Sequence, residues 1–225
     1  MFSQWHLGLG LSKLIIAVRN ETKGQQARAD LARTHSSLTR NAIEMQKLDM
    51  EDYASVTAFA EQAKALERLN IAVLNAGVAK TVYKPVNVLS TALLAILFLP
   101  ILKTKSAASG RGFGRIAVVQ SDTTFWAKFR EKTRVPLLPA LDDETTFARV
   151  DRYFASKLIL QLFVTELTKS GGGTMTEGVI AVPNRILGRT PSEGSRVIMT
   201  AAVGFGPQTC EQYIEGGNLQ PRAFI

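Results

Sequence analysis

Five short apolar runs, several rich in β-branched residues, constrain this chain more than any other feature. They fall at residues 13–19, 42–48, 70–74, 115–120 and 178–182, and helical stretches separate them. The first, Lys13-Leu-Ile-Ile-Ala-Val-Arg19, is continuously apolar between its ends and suits a strand buried on both faces. Residues 42–48 form a weaker strand pattern. Between the runs, 21–34 reads as a helix despite Gly24. Residues 51–68 read as an amphipathic helix with Val56, Phe59, Ala60, Ala63 and Leu66 on one side. Further helices are expected at 86–102, 147–169 and 191–203, the last with Thr190 as N-cap and Glu193 at capping-box spacing. Strand followed by helix, repeated, requires crossover connections. The expected fold is therefore α/β, a Rossmann-like parallel sheet with helices on both faces. Residues 121–146, with prolines at 136 and 139, read as a long loop over the carboxyl ends of the strands, where open α/β sheets bind ligands. The tail, 212–225, carries little regular signal.

Length and composition exclude several function classes. At 225 residues the chain suits one domain, 1–225, with a proper core. Its net charge is +8, from 27 basic and 19 acidic residues, but no block of five consecutive Lys or Arg occurs. A nucleic-acid partner is not expected; a solvated surface or a pocket for an anionic cofactor accounts for the charge. Cys210 is the single cysteine and His6 and His35 lack ligand spacing, so neither a disulfide framework nor a metal site is expected. The first ten residues do not read as a signal peptide. The run 86–102 holds Asn87, Ser90 and Thr91, is short for a membrane span, and reads as a buried core helix. A cytoplasmic protein is expected.

The chemistry-bearing stretch is Asp151-Arg-Tyr-Phe-Ala-Ser-Lys157. Tyr153 and Lys157, four apart, share one face of a helix. An ammonium near a phenol favours the phenolate and lowers the tyrosine pKa from about 10. Such a tyrosine passes protons to or from a carbonyl or alcohol oxygen near neutral pH. Ser121, at a strand end, has the hydroxyl to hold the same oxygen. These residue types suit carbonyl reduction or alcohol oxidation with a cofactor supplying the hydride. With four tyrosines and 27 Lys and Arg, a chance Tyr-x-x-x-Lys pair is the competing reading.

Further segments carry a resemblance: Ala17-Val-Arg-Asn20 with Lys23-Gly24, Leu48-Asp-Met50, Leu74-Asn-Ala-Gly-Val78, Val86-Asn-Val88, Val118-Val-Gln-Ser121 and Tyr153-x-x-x-Lys157. In this order they resemble the short-chain dehydrogenase/reductases, most closely fungal members related to retinol-dehydrogenase-like enzymes. The resemblance covers most of the chain from about Leu11. It implies an oxidoreductase interconverting a carbonyl and a secondary alcohol on an apolar small molecule, plausibly in fungal specialised metabolism. It implies Tyr153 as general acid/base, Lys157 as its tuner and a ribose ligand, Ser121 as the substrate-oxygen stabiliser, and Asn87 as the helix asparagine supporting the proton relay. Asp49 would meet the adenine edge, and Asn75, Ala76 and Gly77 would brace the cofactor. Arg19 would favour the 2′-phosphate, hence NADP. The family also implies homo-oligomers formed through the helices carrying Asn87 and Tyr153.

The chain departs from the family pattern in four places. It starts too late to hold the family's first strand and Thr-Gly-x-x-x-Gly-x-Gly loop, so the expected sheet is truncated at the N-terminus and lacks a central member. His6-Leu-Gly-Leu-Gly10 precedes a strand and does not replace that loop. The connection from Gly77 to Asn87 is short, and the substrate lid after Val182 is nearly absent. Ser121 and Tyr153 lie 153 − 121 = 32 positions apart. A catalytically dead binding protein of the same family, or a truncated gene product, is the alternative reading.

Overall fold

The computed structural model describes residues 11–34, 42–78, 85–107, 114–143, 145, 148–170, 179–183, 197–198, 200–203, 213–215 and 218–220. The proposed N-cap at Thr190, His6-Leu-Gly-Leu-Gly10 and the lid region after Pro183 lie outside these residues.

Strands β1 (Leu14–Val18) and β2 (Ile43–Lys47) pair in parallel, Leu14 against Ile43 and Val18 against Lys47. Helix α1 (Glu21–Thr34) connects them, and Asn20 Oδ1 accepts the Lys23 N–H at 2.9 Å to cap its start. Gly24 fits this helix because a Cβ there would collide with Met45 and Val18. It would force the Met45 end to move and would press on Val18.

The larger sheet runs β3-β4-β5-β6-β7, comprising Ile71–Leu74, Arg115–Gln120, Val179–Pro183, Tyr213–Glu215 and Asn218–Gln220. Pairing is parallel except between β6 and β7. The tail read as irregular thus holds two strands. They are three residues each, too short for a period-two pattern to register in sequence. Among the described residues no ladder joins β1 to β3, so the sheet comes in two parts. Arg68 Nη2 donates to Ser12 Oγ at 2.7 Å and ties the residues leading into those two strands.

Helices cover both faces of the larger sheet, as expected. On one side Ile116 and Val118 of β4 join α2 (Tyr53–Lys64), α3 (Leu89–Ala107) and α5 (Arg149–Ser170), with Phe59 stacked on Phe98 at 5.8 Å. On the other, Ala117 and Val119 meet Val197, Ile198, Ala201 and Ala202. Arg115 Nη1 donates to the carbonyls of Ala201 and Ala202.

Several helix boundaries correct the sequence reading. α2 is shorter than 51–68 because Asp52 caps it, accepting the Ala54 N–H at 2.9 Å, and Ala65 ends it. Leu66 still packs on the core from outside the helix. A 3-10 turn, Pro85–Asn87, precedes α3, so Asn87 stands before the helix and not on it. α3 passes through Pro100 to Ala107; the proline is exposed, and Thr104 Oγ1 donates to its carbonyl. This helix is long and apolar enough to cross a membrane, but half of its most apolar window is buried and Leu94, Ala95, Phe98, Ile101 and Leu102 belong to the core. Residues 121–146 are not one loop. They hold a 3-10 helix, Asp122–Trp126, and the short helix α4 (Leu137–Leu141). On α5 the buried residues are Arg152, Ala155, Ser156, Lys157, Leu160, Gln161, Val164 and Thr168. Leu158, Leu162, Phe163 and Leu167 of the same helix are only half-buried.

Candidate active site

Parallel strands place their carboxyl ends on one side of a sheet. Arg19 follows β1, Asp49 follows β2, Asn75-Ala-Gly77 follows β3 and Ser121 follows β4. Helix α5 brings Lys157 against the end of β4, with Tyr153 one turn before it on the same helix.

Lys157 is 5% exposed, and its Nζ donates to the Val119 carbonyl at 3.1 Å. Burial disfavours the charged amine and lowers its pKa from 10.5 to about 8. An ammonium has three donors; Val119 takes one and leaves two for a ligand oxygen. A Cβ on Gly77 would lie 3.5 Å from Lys157 Nζ and 3.5 Å from Asn87 Oδ1. Glycine there keeps the space beside both groups clear.

Asn87 hydrogen-bonds across the short connection to the segment after β3 and to α5. Its Oδ1 accepts the Val78 N–H at 2.7 Å, and its Nδ2 donates to Val78 O at 2.8 Å and to Ser156 Oγ at 3.1 Å. The Ser156 hydroxyl donates to the Tyr153 carbonyl at 2.7 Å. Asn87 therefore couples the segment after β3 to the helical turn bearing Tyr153. A 3-10 turn does this as well as the expected helix, since only the carboxamide must arrive.

Ser121 is buried, with φ −145° and ψ 142°, and caps the following 3-10 helix. Its Oγ accepts the Thr123 N–H at 3.3 Å and the Thr123 hydroxyl at 2.9 Å. Thr123 thus helps to orient the serine hydroxyl at the strand end.

The segment after Ser121 is anchored to α5 on both sides of Tyr153. Asp151 Oδ1 accepts the Lys128 N–H at 2.8 Å, and Arg152 pairs with Glu131 at 3.0 Å, the two side chains only 6% and 7% exposed. Trp126 meets Phe154 edge to face, ring centres 5.9 Å apart, and Phe154 meets Tyr153 at 6.3 Å. Between these anchors Phe129 is held at a left-handed φ of 43°, a conformation costly for a bulky residue.

Arg19 and Asp49 meet through Glu51. Arg19 Nη1 lies 3.4 Å from Glu51 Oε1, while Asp49 Oδ1 accepts the Glu51 N–H at 2.9 Å. Asp49 N–H also donates to Ser55 Oγ. Asn75, Ala76 and Gly77 are exposed. Among the described residues no group of three His, Cys, Asp or Glu forms a metal cluster.

Sequence reasoning missed Ser156, Thr123 and the Glu131–Arg152 pair. Ser156 sits three residues from Tyr153, and Thr123 two from Ser121, so local spacing carried a usable signal for both. Nothing local links Glu131 to Arg152. It also missed Gln120, fully buried before Ser121 with both amide atoms unpartnered.

A buried serine, and a buried lysine one turn after a tyrosine, stand at the carboxyl end of β4, the side on which open parallel α/β sheets bind ligands. No protein-family model matches the chain. Short-chain dehydrogenase fogG of Aspergillus ruber is 36% identical over 248 residues, covering 93% of this chain and 70% of that protein. Short chain dehydrogenase opdN of Penicillium oxalicum is 33% identical over 258 residues, covering 96% and 82%. The NADPH-bound carbonyl reductase from chicken fatty liver superposes with a TM-score of 0.67 at 19% identity, covering 97% of this chain and 92% of that one. The chain belongs to the short-chain dehydrogenase/reductases and is an oxidoreductase.

Proposed function

We propose that this chain interconverts a carbonyl and a secondary alcohol on an apolar small molecule, with NADP(H) as cofactor, in fungal specialised metabolism. The observation that carries the reading is the hydrogen-bonded chain Val78–Asn87–Ser156–Tyr153 beside buried Lys157 and Ser121. The fungal origin of the relatives supports the setting.

Gly77 and Lys157 fit the ribose part of a nicotinamide nucleotide: the glycine leaves room and the ammonium has two donors to give. Arg19 fits a 2′-phosphate through its guanidinium, in competition with Glu51. Asp49 fits the adenine edge, and Asn75 and Ala76 line the approach. Among the described residues no glycine-rich loop stands ready for the pyrophosphate. The cofactor, when bound, supplies or accepts the hydride.

In the reducing direction, the Ser121 hydroxyl donates a hydrogen bond to the substrate oxygen and holds the carbonyl in place. The Tyr153 phenol gives its proton to that oxygen as the carbon becomes tetrahedral. The neighbouring ammonium of Lys157 favours the phenolate left behind. Asn87, through Ser156, fixes the turn that presents the phenol. Alcohol oxidation reverses each proton movement.

Calorimetry of the 225-residue chain with NADPH and NADH tests the cofactor assignment, with Tyr153→Phe as a folded control. Micromolar NADPH binding, tighter than NADH, and a fall in kcat of about 10²–10⁴ in Tyr153→Phe at unchanged nucleotide affinity are expected. Failure of a folded chain to bind either nucleotide overturns the reading.

A further inference from the structure

Two large apolar rings stand in solvent beside the candidate catalytic groups: Phe125 is 62% exposed and Trp126 54%. Both lie on the 3-10 helix capped by Ser121. Trp126 begins a row of rings, Trp126–Phe154–Tyr153, that ends on the candidate catalytic phenol. The 66° angle between Trp126 and Phe154 is edge to face. In that arrangement one partner at most has a face covered, and only one, so the indole keeps an open face. Val150, one turn before Tyr153 on α5, is also exposed.

Exposed aromatics on a loose loop would carry no message. This segment is anchored instead by the buried Glu131–Arg152 pair and by the Lys128–Asp151 hydrogen bond, which hold it to the helix that bears Tyr153. A fixed apolar ring in water is unfavourable unless something covers it. Its place, on the 3-10 helix capped by the serine that would hold a substrate oxygen and linked through Phe154 to the tyrosine that would protonate it, selects the substrate as that cover. An indole face favours a flat π-system over a puckered aliphatic ring.

We infer that Phe125 and Trp126 are specificity-determining residues forming a wall for a planar aromatic substrate whose reacting carbonyl, or the corresponding alcohol, points to Ser121 and Tyr153. This rests on the carbonyl–alcohol reading above and names its substrate class.

The test uses 2-acetylnaphthalene and its saturated counterpart, 2-acetyldecahydronaphthalene, ketones that share a carbon skeleton but not planarity and whose reduction gives secondary alcohols. The chain has two tryptophans, so Trp5→Phe leaves Trp126 as the sole indole reporter. With saturating NADP⁺ present, 2-acetylnaphthalene is expected to quench Trp126 fluorescence saturably, and calorimetry gives both dissociation constants. Trp126→Ala and Phe125→Ala are each expected to weaken 2-acetylnaphthalene about three- to tenfold while changing the saturated ketone by less than about twofold, and Trp126→Phe to restore most of the loss. Thermal melts identify any variant that fails to fold, and Phe125→Ala, whose side chain is exposed, keeps the test open if Trp126→Ala does. Equal losses for the two ketones, or no quenching, overturn the inference. Quenching with the expected selectivity but no NADPH-dependent turnover leaves the aromatic wall standing and removes the reductase reading. Turnover of both ketones without selectivity does the reverse.

Discussion

Replacing Lys157 with methionine separates the electrostatics of the site from its catalysis. Burial lowers the pKa of Lys157 from 10.5 to about 8. At roughly 1.36 kcal/mol per pKa unit, holding the charged form inside the fold costs about 3 kcal/mol. The sign follows from proton counts. Below pH 8 both folded and unfolded chains carry the proton, so the whole cost is present at neutral pH. Between pH 8 and 10.5 the unfolded chain keeps a proton that the folded chain has lost, and folded stability rises with pH. Above 10.5 both are neutral and the cost is gone. Lys157→Met has no such term, though it loses the hydrogen bond to Val119, worth about 1 kcal/mol. The variant is therefore expected to be more stable than the parent by about 2 kcal/mol at pH 7 and less stable by about 1 kcal/mol near pH 10.5. In a chain of this size a swing of about 3 kcal/mol corresponds to roughly 6–12 °C in Tm. Urea unfolding of both proteins, without nucleotide, across this pH range measures the difference directly, with unchanged m-values as the check on a common unfolded state. A stability difference constant with pH would refute the reasoning, since Lys157 would then titrate alike in both states.

Three further perturbations follow from the same geometry. Glu131→Gln removes the carboxylate 3.0 Å from the buried Arg152 guanidinium and is expected to cost about 3–5 kcal/mol in urea unfolding, with Glu131→Gln/Arg152→Met recovering most of it; a loss under about 1 kcal/mol would mean that the Glu131–Arg152 pair contributes little net stability. Gly77→Ala places its Cβ at ordinary contact, 3.5 Å, from Asn87 and Lys157, so Tm is expected to hold while calorimetry shows weakened NADPH binding; unchanged affinity removes Gly77 from the nucleotide site. Gln120→Met replaces an unpartnered buried amide with an apolar side chain of similar size and is expected to stabilise the fold by about 1–3 kcal/mol. A loss of stability there would indicate that ordered water satisfies the amide.

Much of the fold was legible because it is local. Continuous apolar runs became β1, β3 and β4, and helical periodicity located α1 and α5 to within two residues at either end. Tyr153 and Lys157 share a face by helix geometry alone, wherever the helix packs. What failed depended on partners distant in sequence. The limits of α2 were set by a cap at Asp52, and the strands of the tail exist because β5 pairs with β6 and β6 turns back on β7. Residues 121–146 read as a loop because their order comes from Asp151 and Arg152, more than 20 positions from Lys128 and Glu131, which no windowed pattern detects.

The same division runs through the site. Sequence alone supplied the groups this protein has to work with: a serine at a strand end, a tyrosine and lysine one turn apart, and an asparagine near the start of an apolar run. Covalent spacing and backbone periodicity suffice for that. Only tertiary structure decided that Asn87 reaches Ser156, that Lys157 loses enough water to shift its pKa, and that Trp126 stands in line with Tyr153. Those are properties of packing, where chain segments far apart in sequence exclude solvent from one another and so set the strength of every charge and hydrogen bond between them.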